Sequence, residues 1–300
     1  MATYMDDLDN KGYCIINNIL TTDKCNNYIS KIWDWLESLK TNINRDIPST
    51  WNHKKWPENY RGIIKHYGIG HEQFVWDIRC EKKIIDVFTN VWNTSDLFVS
   101  FDAICVMKPP EISGKFTKTH WIHTDQSFLN SERISIQGLV NLEETSQEDS
   151  TFTLYENSHK YHKEFGTHFN IKQQSNWYKL QKEEVQWLND KGLTQIRLDI
   201  PKGSILLWDS RLFHANCCAI KGRTNPRFRY VIYVSMSPKS FSSNIDIKKR
   251  QKAFKEQRLT THWTKQVQLV PKNPRTYGNS DRNHIIAPFN KPNVSNKSLI

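Results

Sequence analysis

His123, Thr124 and Asp125 put an imidazole and a carboxylate two residues apart. On a β-strand that spacing turns both side chains to one face. A second imidazole, His214, comes much later, after Trp208-Asp209-Ser210-Arg211-Leu212-Phe213, and Arg223, Arg227 and Arg229 follow it. Two histidine nitrogens and one carboxylate oxygen on one side of a divalent ion form the 2-His-1-carboxylate arrangement of non-haem Fe(II) oxygenases. Such a set leaves adjacent coordination positions for a bidentate organic acid and dioxygen. An arginine farther along supplies a permanently charged fork for a distal carboxylate. The same residues also fit a plainer account, with His123 and His214 as satisfied core histidines and Asp125 as a turn carboxylate. His120 has the opposite strand parity to His123 and is expected to face away, and His159 is expected at the surface or beside the site. Serine-hydrolase elbows, phosphate loops and dinucleotide fingerprints are absent, in keeping with only 11 glycines.

The elements that must hold these residues can be read from periodicity. A short strand is expected at 12–16. A helix capped by Thr21-Thr22-Asp23 follows, with Cys25, Tyr28, Ile29, Ile32, Leu36 and Leu39 at helical spacing. Ile84, Val87, Phe88 and Val91 share the face of another helix, while residues 41–75 read as irregular loops. From Leu97 the period becomes two. Strands are expected at 97–107, 119–128, 133–142, 151–155, 196–200, 204–208 and 228–234, with a helix inserted over 182–189 and stopped near Gly192. In 133–142, Ile134, Ile136, Val140 and Leu142 fall on one face, against Ser135, Gln137 and Asn141. About eight strands with turns between them and few helices predict a mainly β fold of sandwich or jelly-roll type.

Composition narrows the setting. The 300 residues are 37% hydrophobic and 12% aromatic, which is globular rather than disordered. No apolar run approaches the about 18 residues of a membrane-spanning helix, so no membrane association is expected. The start, Met1-Ala2-Thr3-Tyr4-Met5-Asp6-Asp7, lacks a secretory pattern, and the expectation is a soluble cytoplasmic protein. Six cysteines without a C-x-x-C pair read as free thiols. The net charge of +11 is a property of the tail. Residues 248–300 hold twelve Lys or Arg against two Asp or Glu, or +10, leaving about +1 for the rest. The charge therefore gives the main body no case for binding nucleic acid. Over 245–259 a helix is expected, docked ahead of a loosely held end.

Read in order, the motifs resemble the phytanoyl-CoA dioxygenase-like branch of the Fe(II)/2-oxoglutarate-dependent oxygenases, over roughly residues 12–238. The likeness runs through Gly12-Tyr13-Cys14-Ile15-Ile16, His120-Trp121-Ile122-His123-Thr124-Asp125-Gln126-Ser127-Phe128 and Gln137-Gly138-Leu139-Val140-Asn141-Leu142. It continues through Asn157-Ser158-His159-Lys160, Pro201-Lys202-Gly203-Ser204 and Leu207 to His214. The resemblance implies a double-stranded β-helix core (jelly-roll, cupin-like) flanked by N-terminal and inserted helices. As one oxygenase domain, it would comprise a helical part at 1–95, the core at 96–240 and a basic C-terminal helix and tail at 241–300. It further implies Fe(II) held by His123, Asp125 and His214, with 2-oxoglutarate and O2 as cosubstrates. A small organic substrate would be hydroxylated as succinate and CO2 are released. An arginine on one of the last core strands would bind the distal carboxylate of 2-oxoglutarate. Asn225 stands at the usual spacing, so Arg227 is the expected clamp, with Arg229 as the alternative or as a substrate clamp. Loops at 51–71, with Trp121 and Phe128, are expected at the substrate mouth. Two other readings are a non-catalytic jelly-roll module whose basic tail engages nucleic acid or another polyanion, and a cupin-type metalloenzyme that works without 2-oxoglutarate.

Overall fold

Thr3 opens a helix that hydrophobic periodicity alone overlooks. Its side chain accepts from the Asp6 amide while Asp6 reaches back to the Thr3 amide, a reciprocal cap on Tyr4–Lys11. The helix ends at Gly12, whose φ of +84° needs a residue without a Cβ. A Cβ there would also lie 2.4 Å from His159 Nδ1 and 2.7 Å from Leu212 Cδ1. The chain then enters the strand Tyr13–Ile16.

The computed structural model describes residues 3–113, 121–275, 285, 287 and 290–300. The chain divides into two units: Met1–Asn18 with Pro109–Arg229, and Ile19–Lys108 with Tyr230–Ile300. In the first unit, Ile205–Asp209 pairs antiparallel with Tyr13–Ile16 on one side and Ile136–Asn141 on the other. A second antiparallel sheet runs in the order Tyr178–Lys179, His123–Thr124, His214–Cys217, Thr151–Tyr155, Gln195–Arg197. Phe152 and Trp208, one from each sheet, meet with ring centroids 4.8 Å apart, so the two layers face each other across a packed interior. The fold is α+β with antiparallel sheets dominant, and its core is of the double-stranded β-helix type that the sequence implies.

Two expected strands are shortened, each for a visible reason. Of 119–128, residues 119 and 120, including His120, lie outside the described residues, and pairing covers only His123–Thr124. The Asp125 amide instead donates to the Ser210 carbonyl, and the Gln126 side chain caps a turn by donating to the Asn130 and Glu132 carbonyls. The expected strand 97–107 splits into Leu97–Val99 and Ile104–Met107. Between them, Ser100 donates to the Ser235 carbonyl, Phe101 to the Thr260 hydroxyl, and the Asp102 carbonyl accepts from Arg79. Those backbone groups are satisfied outside any sheet, so alternation in the side chains does not make a strand there.

The second unit carries the helices Thr22–Ser38, Gln73–Arg79, Lys82–Trp92 and Asn244–Glu256. Thr21 caps the first as its sequence predicts, and Ser243 with Asp246 caps the last. The loosely held end is a correction. Val294 and Leu299 are buried, and the guanidinium of Arg250, fully buried, donates to the carbonyls of Leu299 and Ile300. Among the described residues no cysteine forms a disulfide, and no helix is long and apolar enough to cross a membrane.

Candidate metal centre

His123 and His214 are directly opposite each other in the ladder between their two strands. Their ring centroids are 4.5 Å apart. Each imidazole is tied at Nδ1 to the carbonyl two residues before it: Trp121 at 2.9 Å for His123 and Leu212 at 2.8 Å for His214. A carbonyl only accepts, so Nδ1 carries the proton in both rings and Nε2 presents its lone pair. Both Nε2 atoms face Asp125 Oδ2, at 3.7 Å from His123 and 3.3 Å from His214. One ligand atom from each of the three residues lies within 4.8 Å of the others.

Asp125 reaches this position from just beyond the end of its strand. Its amide is held by the Ser210 carbonyl at 3.0 Å, and its carboxylate by the side-chain amide of Gln137 at 2.9 Å. Gln137 also donates to the Ser210 hydroxyl, which donates in turn to Ser135 Oγ at 2.9 Å. All three supporting residues are buried. Ser135 and Gln137 sit on the polar face of 133–142, which the sequence sets against the apolar face without a role. That face looks at the carboxylate. A Gln137→Leu variant should keep the fold and weaken Mn(II) or Co(II) binding by about 10- to 100-fold, as loss of an outer hydrogen bond to a metal ligand does elsewhere. Isothermal titration with either ion checks it.

Aromatic rings wall the pair of histidines. Phe152 lies nearly parallel to His214 at 5.1 Å, Trp208 is 5.5 Å from it, and Trp121 stacks on His123 at 4.7 Å. The Trp121 indole N–H donates to the Asn216 carbonyl at 2.6 Å. These side chains fix the rotamers of the imidazoles and keep water off their faces. Of the residues expected at a substrate mouth, Trp121 is thus a buried support. Phe128 is core as well, stacked on His162 and Phe165. Trp51 and Trp56 pack on Trp33 within the second unit. His159 is not exposed: it is buried, with Nε2 on the Asp9 carbonyl at 3.1 Å.

The arginines separate by environment. Arg227 lies just ahead of the strand Arg229–Tyr233, and its side chain, 34% exposed, pairs with Asp149 through Nη2 at 2.8 Å. Arg223 bridges the other oxygen of Asp149 at 2.5 Å and Glu111 at 2.7 Å. Burial pushes the Asp149 carboxyl up, but hydrogen bonds from Ser146 and Arg227 outweigh it and hold the group below its ordinary range. Arg229 begins the strand Arg229–Tyr233 and is 1% exposed. Its charge reaches Cys217, the last residue of the His214 strand, where burial raises the thiol pKa and Arg197 and Arg229 partly offset the rise.

A protein-family comparison matches residues 8–216 to Phytanoyl-CoA dioxygenase (PhyH), more than half of the chain. The chain belongs to the phytanoyl-CoA dioxygenase family. The matched span contains His123, Asp125 and His214 and stops short of the three arginines. Similarity to Ava biosynthesis cluster protein O of Aspergillus versicolor is 27% identity over 277 residues, 88% of each chain. Among solved structures, AviO1 from Streptomyces viridochromogenes Tue57 aligns with a TM-score of 0.53 at 11% identity, over 80% of this chain and 98% of its own. HygX from Streptomyces hygroscopicus, solved with nickel, 2-oxoglutarate and hygromycin B bound, aligns with a TM-score of 0.50 at 14% identity, over 78% of this chain and 86% of its own. At such identities the likeness is one of fold.

The donors of this phytanoyl-CoA dioxygenase family member fit a divalent ion. Two neutral imidazoles and one carboxylate are the nitrogen and oxygen ligands that borderline first-row metals take. Two ligand atoms about 2.1 Å from one ion and at right angles to each other are about 3.0 Å apart. The 3.3 and 3.7 Å separations therefore need to close by less than about 1 Å.

Proposed function

We propose that the protein is an Fe(II)- and 2-oxoglutarate-dependent dioxygenase that hydroxylates a small organic substrate, with His123, Asp125 and His214 as the iron ligands. The observation that carries this reading is the convergence of those three side chains with both imidazoles already set in the metal-binding tautomer. Membership in the family and the metal and 2-oxoglutarate held by HygX on this fold support it. When bound, iron, 2-oxoglutarate and dioxygen supply the oxidation: one oxygen atom goes to succinate, formed with CO2, and the other to a substrate C–H bond.

The chain's own residues orient and shield. The carbonyls of Trp121 and Leu212 hold the two rings, Gln137 holds the carboxylate, and Phe152, Trp208 and Trp121 exclude water from the ring faces. For the distal carboxylate of 2-oxoglutarate, Arg229 is the better candidate of the two arginines. It is buried and acts on the strand of His214, whereas Arg227 already neutralises Asp149.

Anaerobic addition of Fe(II) and 2-oxoglutarate tests the reading. A weak visible charge-transfer band near roughly 500 nm is expected from the chelate, and its absence would overturn the proposal. In the same titration Arg229→Ala should weaken 2-oxoglutarate binding by about 10- to 100-fold, the size of a lost charge-assisted hydrogen-bonded pair. Arg227→Ala should leave that affinity unchanged.

A further inference from the structure

The strand Tyr178–Lys179 lies along the edge of His123–Thr124, with Lys179 opposite His123 and Tyr178 opposite Thr124. Residues directly opposite each other in a ladder put their side chains on one face, so Lys179 shares the face of His123. Side chains alternate along the chain, so Trp177 falls on that face too. Tyr178 takes the other face, where its hydroxyl bonds Glu184. The Trp177 ring lies 6.0 Å from the His123 ring, tilted by 39°.

Among the described aromatic residues around the centre, Trp177 differs in being 47% exposed. Its position is nonetheless built. The Trp177 carbonyl accepts from the Gln173 and Ser175 side chains, and its amide donates to Ser175. The segment is pinned to the residues just after Asp125: Ser127 donates its amide to Asn176 and its hydroxyl to the Gln173 carbonyl. Lys179 is exposed, and no described residue forms an ion pair with it. A large apolar ring held half in solvent beside a metal ligand, two residues from an unpaired cation on the same face, is a recognition surface rather than packing.

We propose that Trp177 and Lys179 contact the substrate at the metal centre, and that they select a flat apolar ring system carrying an anionic group. The ring stacks on the exposed face of the indole and the anion pairs with the ammonium. This assignment rests on the proposed metal centre at His123, Asp125 and His214.

The test replaces iron with Mn(II) in the full-length protein, with 2-oxoglutarate saturating, and uses 2-naphthoate as the probe. Bound Mn(II) broadens the proton resonances of any small molecule held within several ångströms. Strong broadening of 2-naphthoate and little of cyclohexanecarboxylate are expected. Trp177→Ala should reduce the naphthoate effect about fivefold, with Trp177→Phe retaining most of it. Lys179→Gln should weaken the effect on 2-naphthoate and leave 2-naphthol unchanged. Electron paramagnetic resonance of Mn(II) reports the metal centre separately. If the protein takes up no Mn(II), the metal centre falls and this assignment with it. If Mn(II) binds and naphthoate is not broadened, or is broadened equally in Trp177→Ala, this assignment alone is overturned.

Discussion

Replacing His214 by alanine should abolish substrate-independent turnover of 2-oxoglutarate and lower affinity for Fe(II) or Mn(II) by roughly three orders of magnitude. Among the described residues three side chains converge at the centre, and His214 Nε2 makes the shorter of the two approaches to Asp125, 3.3 Å. Its loss leaves one imidazole and one carboxylate, a set that binds divalent ions no better than many surface pairs. The ring is also packed against both Phe152 and Trp208, so the truncation opens a small cavity and costs about 1–3 kcal/mol of stability. Circular dichroism at working temperature separates that cost from unfolding. His159→Ala is the matched control, since His159 is equally buried but bonds the Asp9 carbonyl. Metal affinity should not respond to it. Retention of iron binding by His214→Ala would refute the assignment.

The second large effect is on stability. Asp209 is fully buried at the end of the strand Ile205–Asp209. Its oxygens accept from Arg211 Nε at 2.9 Å, Arg211 Nη2 at 2.7 Å, the Arg211 amide at 2.9 Å and Arg133 Nε at 3.2 Å. Burial alone would push this carboxyl up, but the hydrogen bonds and charge of Arg211 outweigh it and the group sits below its ordinary range. Asp209→Ala strands the Arg211 guanidinium, which is 16% exposed, and should cost about 3–5 kcal/mol. Because the folded pKa is depressed, the unfolded chain binds more protons across the interval between the two values. Stability from this group is thus complete above the unfolded value and fades as pH falls through the folded one. Urea unfolding should show a shallower loss of stability toward acid in Asp209→Asn than in the parent. An unchanged acid limb would contradict the pairing.

Much of the architecture was legible because it rests on local rules. Alternation located Ile136–Asn141, Thr151–Tyr155 and Ile205–Asp209, and the Thr21 cap located the helix Thr22–Ser38. The grouping of His123, Asp125 and His214 was readable from H-x-D and a distant histidine, although Asp125 lies just past its strand. What escaped depends on pairing that spacing does not encode. Gln137 reads as a solvent-facing polar residue until the fold turns its face to Asp125. Trp177 becomes notable only through the strand pairing that brings its ring beside His123. The ion pair of Arg227 with Asp149 joins residues far apart in sequence, which spacing does not encode. The short helix His162–His168 was missed because two histidines and a glycine hide its amphipathic pattern, although Phe165 is fully buried.

The two histidine rings take their tautomers from carbonyls only two residues upstream, so the local backbone sets which nitrogen each ring presents. Donors set in this way do not discriminate between ions by fit. Affinity for such nitrogen and oxygen donors rises from iron toward copper, and zinc also outranks iron. Mismetallation is the natural consequence: protein purified without reconstitution should carry inert zinc or copper in proportion to their supply. Its iron content would then be decided by the order of loading and by the metal economy of the host, rather than by the polypeptide.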